Sequence, residues 1–361
     1  MKVAVLGAGN GGCAVACDMS TRGHEVTLIK TSKSTMHSEN FQYLAEHEGK
    51  MTLDEFGEMK TANIAHITTD LSAISACEIV IIYVQTNYHE PLIERIIPFL
   101  QKDQIVLINP GYLSTAYMLK YGARPDVIVA EAESSFIDCR IKEPGLIKVG
   151  FRNVRNPIGV FPRARSEEAA AKLDQLGFPF TYLNSVVEAA LHNPNLIVHT
   201  VGAVMSIPRI EKTQGEYCMY HEVFTPSVWR ILESLDGEKM DVLEKFGFER
   251  LPYVEACKFR NSLNEERDGK EVFFWYAAMP TRAKGPIVVD SRYISEDVPQ
   301  GLCMLEALGR HLNVPTPIAT SLIEIASSAL GRDLRAEGRS PERLGTENIS
   351  RILLDCGHIA Y

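Results

Sequence analysis

The sequence lacks a long apolar run and an excess of positive charge, and each absence excludes a class of protein. No apolar stretch reaches the roughly 18–20 residues that a membrane span needs, so we expect no membrane partner. The formal net charge is −9. Because phosphate binding needs a concentrated basic surface, this charge argues against a protein that binds nucleic acid.

The sequence also lacks closely paired cysteines. Its eight cysteines are scattered, and none forms a Cys-x-x-Cys pair. This spacing offers neither a zinc knuckle nor a thioredoxin-type redox pair, so we expect reduced thiols and no metal. The first residues run directly into a glycine-rich turn, without the apolar segment and cleavage site of a signal peptide. Together these features predict a cytoplasmic protein.

The 361 residues are enough for two ordinary domains. Short apolar runs in the first half alternate with segments of helical pattern, which favours a Rossmann-type, doubly wound parallel sheet. The candidate strands are Lys2–Leu6, Glu25–Ile29, Glu78–Val84, Gln104–Ile108 and Asp126–Ala130. The candidate helices between them lie near Gly11–Thr21, Glu90–Leu100 and Thr115–Tyr121.

The pattern changes at about residue 185. Before it, the stretch Leu146–Phe161, a helix near Glu167–Leu176 and a strand near Phe180–Tyr182 are expected to complete the sheet. After it, long helical patterns cover Val186–Ser206, Pro226–Phe246, Leu302–Leu312 and Pro317–Leu330. We therefore predict a dinucleotide-binding domain over residues 1–184 and a mainly helical substrate and catalytic domain over residues 185–361.

The residues Gly7-Ala8-Gly9-Asn10-Gly11-Gly12 form a G-x-G-x-x-G pattern between a predicted strand and a predicted helix. Gly7 allows the tight turn, Gly9 lets a pyrophosphate approach the backbone, and Gly12 lets the helix pack close to the strand. The helix N-terminus offers free N–H groups and a partial positive charge to the phosphates. We predict that Gly7, Gly9, Asn10, Gly11 and Gly12 bind NAD(P).

The end of the second predicted strand helps to distinguish the two cofactors. An acidic residue there would bind the ribose 2′-hydroxyl of NAD, but the chain continues as Lys30-Thr31-Ser32-Lys33. Lys30, Ser32 and Lys33 suit a 2′-phosphate, so we expect NADP(H) to be preferred over NAD(H). A solvated basic loop in an NAD enzyme is the alternative.

Hydride transfer to a carbonyl or imine also needs a proton donor, usually His or Lys. After Pro194, Asn195 and His199 stand four residues apart on one helical face. His199 lies in an apolar run and is a candidate for this role. A buried histidine of the core is the alternative interpretation.

A second group of charged residues follows a strand-like run at Ile287–Asp290. Arg292 can hold a substrate carboxylate with its planar guanidinium. Either Glu296 or Asp297 can orient a histidine. A loop with local salt bridges would leave the same pattern.

At these residues the chain resembles the opine dehydrogenase family, over nearly its whole length. The most specific string is Arg292-Tyr293-Ile294-Ser295-Glu296-Asp297-Val298-Pro299. Shorter matches are Gly9–Gly12, Asn109-Pro110-Gly111, Ala130-Glu131, Cys139-Arg140, Asn195 with His199, Thr225–Val228, Gly301-Leu302, Gly338–Ser340 and Leu344-Gly345. The family joins an amino acid to a 2-oxo acid such as pyruvate and reduces the imine with NAD(P)H.

The resemblance implies a role for each of the residues singled out above. His199 would be the acid–base residue, Asp297 would orient it, Arg292 would bind the oxo-acid carboxylate, and Asn195 would lie near the reacting centre. The partners would accordingly be a small amino acid and a 2-oxo acid, and a homodimer is compatible with the sequence.

The resemblance also implies that residues 131–140 face the amino-acid substrate. Glu133 is a candidate for binding a cationic amine or guanidinium, and Cys139 is a candidate substrate contact. Asp138 departs from the apolar residue that is usual in the family, which leaves the amino donor open. The turn Gln85-Thr86-Asn87, after the candidate strand Glu78–Val84, is expected beside the nicotinamide, where Thr86 can contact the cofactor or the substrate. A plain loop is the alternative.

Two other functions remain open at this point. Glycerol-3-phosphate and ketopantoate dehydrogenases share the two-domain plan, but they use a lysine in the helical domain where this chain has His199. A non-catalytic NAD(P)-binding sensor is the second alternative, and the retained His, Arg and Asp argue against it.

Overall fold

The structure is a computed structural model that describes residues 1–280, 282 and 284–357. The chain divides into two compact units, Met1–Ala189 and Ala190–Tyr361. The expected boundary after residue 184 lies just before a short helix, Val186–Leu191, that runs across this division. Within the described residues, no helix combines the length and the apolar character needed to span a membrane.

The first unit is built on an eight-stranded sheet and a second, four-stranded sheet. The strands are β1 (Lys2–Leu6), β2 (Glu25–Ile29), β3 (Lys50–Glu55), β4 (Glu58–Asn63), β5 (His66–Thr68), β6 (Ile79–Ile82), β7 (Ile105–Ile108), β8 (Ile128–Ala132), β9 (Ile137–Glu143), β10 (Leu146–Arg152), β11 (Asn156–Phe161) and β12 (Phe180–Tyr182).

The large sheet has the order β12-β11-β8-β7-β6-β1-β2-β5. Its strands from β8 to β5 all run parallel, and β11 is antiparallel to β8. Strands β6 and β7 are fully buried, in agreement with their uninterrupted apolar sequences. This arrangement, with a helical second unit, confirms the predicted fold class.

Six helices accompany the sheets of the first unit. They are α1 (Asn10–Thr21), α2 (Ser38–Glu46), α3 (His89–Ile96), α4 (Thr115–Lys120), α5 (Ser166–Leu173) and α6 (Val186–Leu191), of which the last continues into the second unit. Helix α1 packs against β2 of the large sheet and against β3, β4 and β9 of the small sheet. The helix is buried from Gly12 to Met19, and its N-terminus follows β1 after a three-residue turn.

The small sheet, with the order β4-β3-β10-β9, corrects one prediction. The stretch Leu146–Phe161 is not part of one sheet, because β10 pairs with β3 and β9, and only β11 joins the large sheet. The burial explains the division. Strand β10 alternates buried and exposed residues at its start, as a strand with one wet face does, but β11 is buried almost throughout.

The second unit is helical. Its helices are α7 (Pro194–Met205), α8 (Ile207–Thr213), α9 (Met219–Glu222), α10 (Pro226–Lys245), α11 (Tyr253–Asn261), α12 (Gly269–Ala277), α13 (Arg292–Ser295), α14 (Cys303–Leu312), α15 (Pro317–Leu330), α16 (Leu334–Glu337), α17 (Pro341–Leu344) and α18 (Thr346–Asp355). A π-helical turn at Val298–Leu302 leads into α14. Helix α7 packs against α10, α13 and this turn.

The helical pattern over Val186–Ser206 forms two helices, and the second begins at Pro194, the position from which the sequence analysis counts the helical face of Asn195 and His199. Pro194 holds the preceding Asn193 at ψ 118°, outside the helical region. The side chain of Asn193 caps the new helix by accepting from the N–H of Asn195. The strand expected at Ile287–Asp290 is absent, and Ile287 and Val288 are exposed there.

Candidate active site

The carboxyl ends of the parallel strands bring several polar and glycine residues to one edge of the large sheet. Gly7 follows β1, Tyr83 follows β6, Asn109 follows β7 and Glu133 follows β8. Ligands of open parallel sheets bind at this edge. Asn109 is fully buried, and its side-chain oxygen and nitrogen both lack a hydrogen-bond partner among the described residues.

The turn after β1 leaves no room for side chains at two of its glycines. Gly7 has φ +122°, and a Cβ there would lie 2.3 Å from the Tyr83 carbonyl oxygen. A Cβ on Gly12 would lie 1.9 Å from the carbonyl oxygen of Gly7. The roles predicted for these two glycines, a tight turn and close packing of helix on strand, therefore have a steric basis.

Gly9 differs, because a Cβ at this position would meet only His37 Cδ2, at 3.8 Å. The first turn of α1 has no side-chain cap and no acidic residue. The first N–H groups of the helix thus have no side-chain cap, and the adjacent glycine leaves room for a ligand, which is the arrangement that a pyrophosphate requires. The residues present at this turn fit a dinucleotide.

The start of α1 is also tied to strand β9. The Asn10 side chain accepts a hydrogen bond from the Ile141 N–H at 2.8 Å, and its carbonyl accepts one from the Cys139 thiol at 3.3 Å. Gly11 lies against the ring of Tyr83, where a Cβ would come within 2.3 Å of Cε1. Asn10 and Gly11 thus fix the position of the turn.

Basic residues surround the end of β2. The Lys30 ammonium donates to the Ser34 carbonyl at 2.7 Å and to the Ser38 hydroxyl at 2.6 Å, so it braces the loop that follows. Ser32 and Lys33 are exposed. Arg95, from α3, donates to the Thr31 carbonyl at 3.1 Å and adds a cation that no local pattern indicated.

In the second unit, the imidazole of His199 has a defined neighbour at each nitrogen. Nδ1 lies 2.8 Å from Oδ2 of Asp297, which is 98 residues away in the sequence. Nε2 lies 3.1 Å from the Tyr220 hydroxyl. The Tyr293 ring stacks on the imidazole with its centroid at 3.9 Å. His199 is 8% exposed and Asp297 is 1% exposed, so their hydrogen bond is shielded from water.

Arg292 and Glu296 form a second pair beside the first. Arg292 Nε lies 3.1 Å from Glu296 Oε2. The arginine side chain is 50% exposed, whereas the glutamate side chain is 3% exposed. The two adjacent carboxylates therefore have different partners, because Glu296 holds the arginine and Asp297 holds the histidine. An anchored arginine with an accessible side chain can bind a carboxylate ligand.

Comparisons with known proteins agree with this organisation. A family model described as NAD/NADP octopine/nopaline dehydrogenase, alpha-helical domain, matches residues 182–330, and one described as ketopantoate reductase PanE/ApbA matches residues 3–149. An opine dehydrogenase of Arthrobacter sp. strain 1C is 27% identical, over 96% of each chain. A vitopine synthase of Allorhizobium ampelinum is 24% identical, over 98% of each chain.

The second unit thus matches an octopine/nopaline dehydrogenase model, and the chain is similar to opine dehydrogenases over nearly its whole length. These comparisons indicate an NAD(P)-dependent oxidoreductase that acts on CH–NH donors. The fold is also that of octopine dehydrogenase in complex with NADH and L-arginine, at a TM-score of 0.77 and 18% identity, over 100% of this chain and 99% of that one. Yersinopine dehydrogenase with bound NADP+ gives a TM-score of 0.73 at 16% identity, over 99% of both.

The remaining predicted site residues lie on different elements of the two units. Asn195 is partly exposed on α7, one turn before His199. Glu133 is 2% exposed directly after β8, and its N–H donates to the Pro157 carbonyl at 3.0 Å. Thr86 is buried in a short 3-10 turn after β6. Cys139 is buried on β9, where desolvation raises the pKa of its thiol to about 12 and keeps it neutral.

Two of the motifs on which the family resemblance rests stabilise each other. The buried carboxylate of Glu131 accepts from the N–H of Leu113 at 2.8 Å and from the N–H and hydroxyl of Thr115, both at 2.6 Å. A Cβ on Gly111 would lie 1.9 Å from that carboxylate. Asn109-Pro110-Gly111 and Ala130-Glu131 therefore shape the loop after β7.

Sequence reasoning missed the contacts of three residues near the His199 imidazole or the arginine, among them Glu296, which it considered only as a possible partner of the histidine. Glu296 had a local signal, since it stands four residues after Arg292, the spacing of a helical ion pair. Tyr293 lies inside the matched string but gave no indication of stacking. Tyr220 had no signal at all, because it is 21 residues from His199 and on another helix.

Proposed function

We propose that this protein catalyses the NAD(P)H-dependent reductive condensation of an amino acid with a 2-oxo acid such as pyruvate, which forms an N-(carboxyalkyl)amino acid. The observation that carries this proposal is the buried hydrogen bond between His199 and Asp297, with Arg292 anchored by the adjacent carboxylate. Relatives named opine dehydrogenase and vitopine synthase, aligned over 96–98% of this chain, support the same reaction.

Arg292 binds the carboxylate of the oxo acid. Its planar guanidinium can make two parallel hydrogen bonds to that group. Glu296, buried beside it, restrains the arginine through Nε and balances its charge. The oxo acid is thus held by its carboxylate, with its keto carbon available to the amine.

His199 moves the protons of the condensation. Asp297 accepts from Nδ1–H, which leaves Nε2 as the nitrogen that exchanges protons, and the carboxylate stabilises the imidazolium. After the amine adds to the keto carbon, the neutral imidazole takes a proton from the nitrogen and the imidazolium gives it to the former keto oxygen, which becomes a hydroxyl. A second transfer of the same kind, from the nitrogen to this hydroxyl, releases water and leaves the carbon–nitrogen double bond.

Gly7, Gly9, Asn10, Gly11 and Gly12 hold the dinucleotide through the backbone at the start of α1, in a turn that a pyrophosphate fits. When bound, NAD(P)H supplies the hydride that reduces the carbon–nitrogen double bond. Thr86 and the unpartnered amide of Asn109 lie in segments that follow β6 and β7, at the edge of the sheet where ligands of this fold bind.

The preferred cofactor in this proposal is NADP(H). Residues 30–38 contain no carboxylate that could bind a ribose 2′-hydroxyl. Lys33 is exposed there, Lys30 is held in the loop by Ser34 and Ser38, and Arg95 reaches the same loop from α3. These cations suit a 2′-phosphate, which carries a charge that the ribose of NAD lacks.

The assay that tests the reaction follows NADPH and NADH oxidation with pyruvate and a panel of amino acids, supplied together and separately. Cofactor oxidation only when both substrates are present, with a secondary-amine dicarboxylate as product, is the expected result. Oxidation by the oxo acid alone would show a simple dehydrogenase. No oxidation with any combination would indicate a binding protein without this activity.

A further inference from the structure

The nitrogen that the proposed reaction needs is already engaged inside the protein. With Nδ1 bonded to Asp297, proton exchange by His199 must occur at Nε2, and the Tyr220 hydroxyl lies 3.1 Å from it. His199 itself is 8% exposed, whereas Tyr220 is partly exposed. Of these two residues, Tyr220 therefore offers the more accessible surface.

The position of Tyr220 is held by an aromatic cluster. Its ring packs edge-on against Tyr276 and lies near Phe224, with centroids at 6.3 Å in both cases. The Arg282 guanidinium lies over the rings of both tyrosines, at 5.3 Å from the Tyr220 centroid and 4.2 Å from the Tyr276 centroid. This packing holds the hydroxyl against Nε2.

The chemistry of this hydroxyl is restricted by its surroundings. Burial raises the pKa of Tyr220 well above its ordinary value, and the neighbouring tyrosines Tyr276 and Tyr293 raise it further. The phenol therefore stays neutral. It can neither hold an additional proton nor remain deprotonated as a stable state. A neutral hydroxyl can still accept one proton while it gives up another.

We propose that Tyr220 is a catalytic residue that relays the proton between His199 and the reacting oxygen or nitrogen of the substrate. In the forward step the Nε2–H proton bonds to the tyrosine oxygen while the hydroxyl hydrogen passes to the substrate atom. The imidazolium becomes imidazole, the substrate gains one proton, and the tyrosine ends unchanged. The identity of the substrate in this relay rests on the proposed function. The contact between Tyr220 and His199 is independent of it.

A defined set of ionisable groups surrounds the His199 imidazole and the Tyr220 hydroxyl. Asp297 and Tyr293 contact the imidazole, from the segment that contains α13. The groups that act on the Tyr220 hydroxyl are Tyr253 from α11, Tyr276 from α12, Tyr293 from α13 and Arg282. A change at Tyr220 is therefore best compared with the same change at a buried tyrosine outside this set, Tyr217.

The test compares Tyr220→Phe with Tyr217→Phe, since each change removes one hydroxyl and keeps the ring. In stopped-flow mixing of NADPH-loaded enzyme with pyruvate and the amino acid chosen from the panel, Tyr220→Phe is expected to slow the first turnover about 10²–10⁴-fold, the range for loss of a proton-transfer group. Tyr217→Phe should stay within about threefold of the wild type, because its hydroxyl makes no hydrogen bond among the described residues. Equal rates for Tyr220→Phe and wild type, or a faster variant, would overturn the relay.

Two measurements keep the proposal testable if a variant is unstable or the proposed substrates are wrong. In the wild type, the single-turnover rate plotted against the D₂O fraction should be curved, because two protons move together, and a linear plot would contradict the relay. In resting enzyme labelled with ¹⁵N-histidine, Tyr220→Phe should move the His199 Nε2 signal and Tyr217→Phe should not. An unmoved signal would overturn the relay even if the wild type consumed no NADPH, the result that would instead refute the proposed function.

Discussion

The glycine turn of the first unit and the His199 group of the second unit prepare their chemistry in different ways. At the turn, the useful feature is the absence of side chains, since Gly7 and Gly12 sit where a Cβ would meet backbone atoms at 2.3 and 1.9 Å. Around His199, the useful feature is the presence of several side chains that fix one another. Asp297 contacts Nδ1 of the imidazole, Tyr220 contacts Nε2, and Tyr293 stacks on the ring.

The two regions should therefore respond differently to mutation. A turn that works through the backbone is sensitive to added volume and insensitive to charge. A group of interacting side chains is sensitive to the loss of single atoms, and its members should not act independently.

The largest expected effect is on the chemical step in the second unit. His199→Ala should lower kcat about 10²–10⁴-fold, because it removes the acid–base group. NADPH affinity should be retained, because the residues proposed to hold the dinucleotide lie in the first unit. Steady-state kinetics and a fluorescence titration of NADPH measure the two quantities. His311→Ala, which changes another histidine of the same unit, is the control, and a near-normal kcat in His199→Ala would remove the residue from its role.

The next effect separates two kinds of glycine in the turn. Gly9→Ala should leave the thermal midpoint nearly unchanged, because its Cβ meets only His37 at 3.8 Å, but should weaken NADPH binding by at least about tenfold. Gly12→Ala should lower the free energy of unfolding by about 1–3 kcal/mol, because the added carbon overlaps a backbone carbonyl. Differential scanning fluorimetry and isothermal titration calorimetry check both. Equal NADPH affinity in Gly9→Ala and wild type would place the pyrophosphate elsewhere.

A smaller effect should distinguish the arginine pair from the histidine pair. Glu296→Gln is expected to raise KM for pyruvate about tenfold with little change in kcat, since it loosens Arg292 without touching His199. Asp297→Asn should instead lower kcat, because it removes the charge that stabilises the imidazolium. If both variants changed the same kinetic constant, the assignment of one carboxylate to each partner would be wrong.

The smallest expected effect concerns the loop after β2. Arg95→Ala and Lys33→Ala should each weaken NADPH binding about three- to tenfold and leave NADH binding unchanged, because only NADPH carries the 2′-phosphate. Lys102→Ala, an exposed lysine outside this loop, serves as the control. Parallel losses for both cofactors would show that these cations support the loop without reading the 2′-phosphate.

The glycine turn could be predicted from the sequence more completely than the contacts of His199. The glycine turn is encoded within six consecutive residues, so its position after β1 and its fit to a dinucleotide were predictable from spacing. The contact between His199 and Asp297 joins residues 98 positions apart, and spacing alone could not choose Asp297 over Glu296. The family resemblance favoured Asp297 as the histidine's partner, and the structure places its Oδ2 2.8 Å from Nδ1.

Other features escaped prediction because their contacts are distant in the sequence. The small sheet pairs β10 with β3, about a hundred residues earlier, and no local pattern announces that pairing. The start of α7 at Pro194, by contrast, is a local signal that the sequence shows directly. Tyr220 reaches His199 from a four-residue helix, whose length gives no periodicity to detect.

Proton transfer by His199 with the support of Asp297 is tested most directly by a double-mutant cycle on kcat/KM. The cycle uses His199→Ala, Asp297→Asn and the combination of both. If the carboxylate acts only through the imidazole, the double variant should be no slower than His199→Ala alone. If the two losses multiply, Asp297 acts on the reaction by another route, and the proton transfer assigned to this pair would be contradicted.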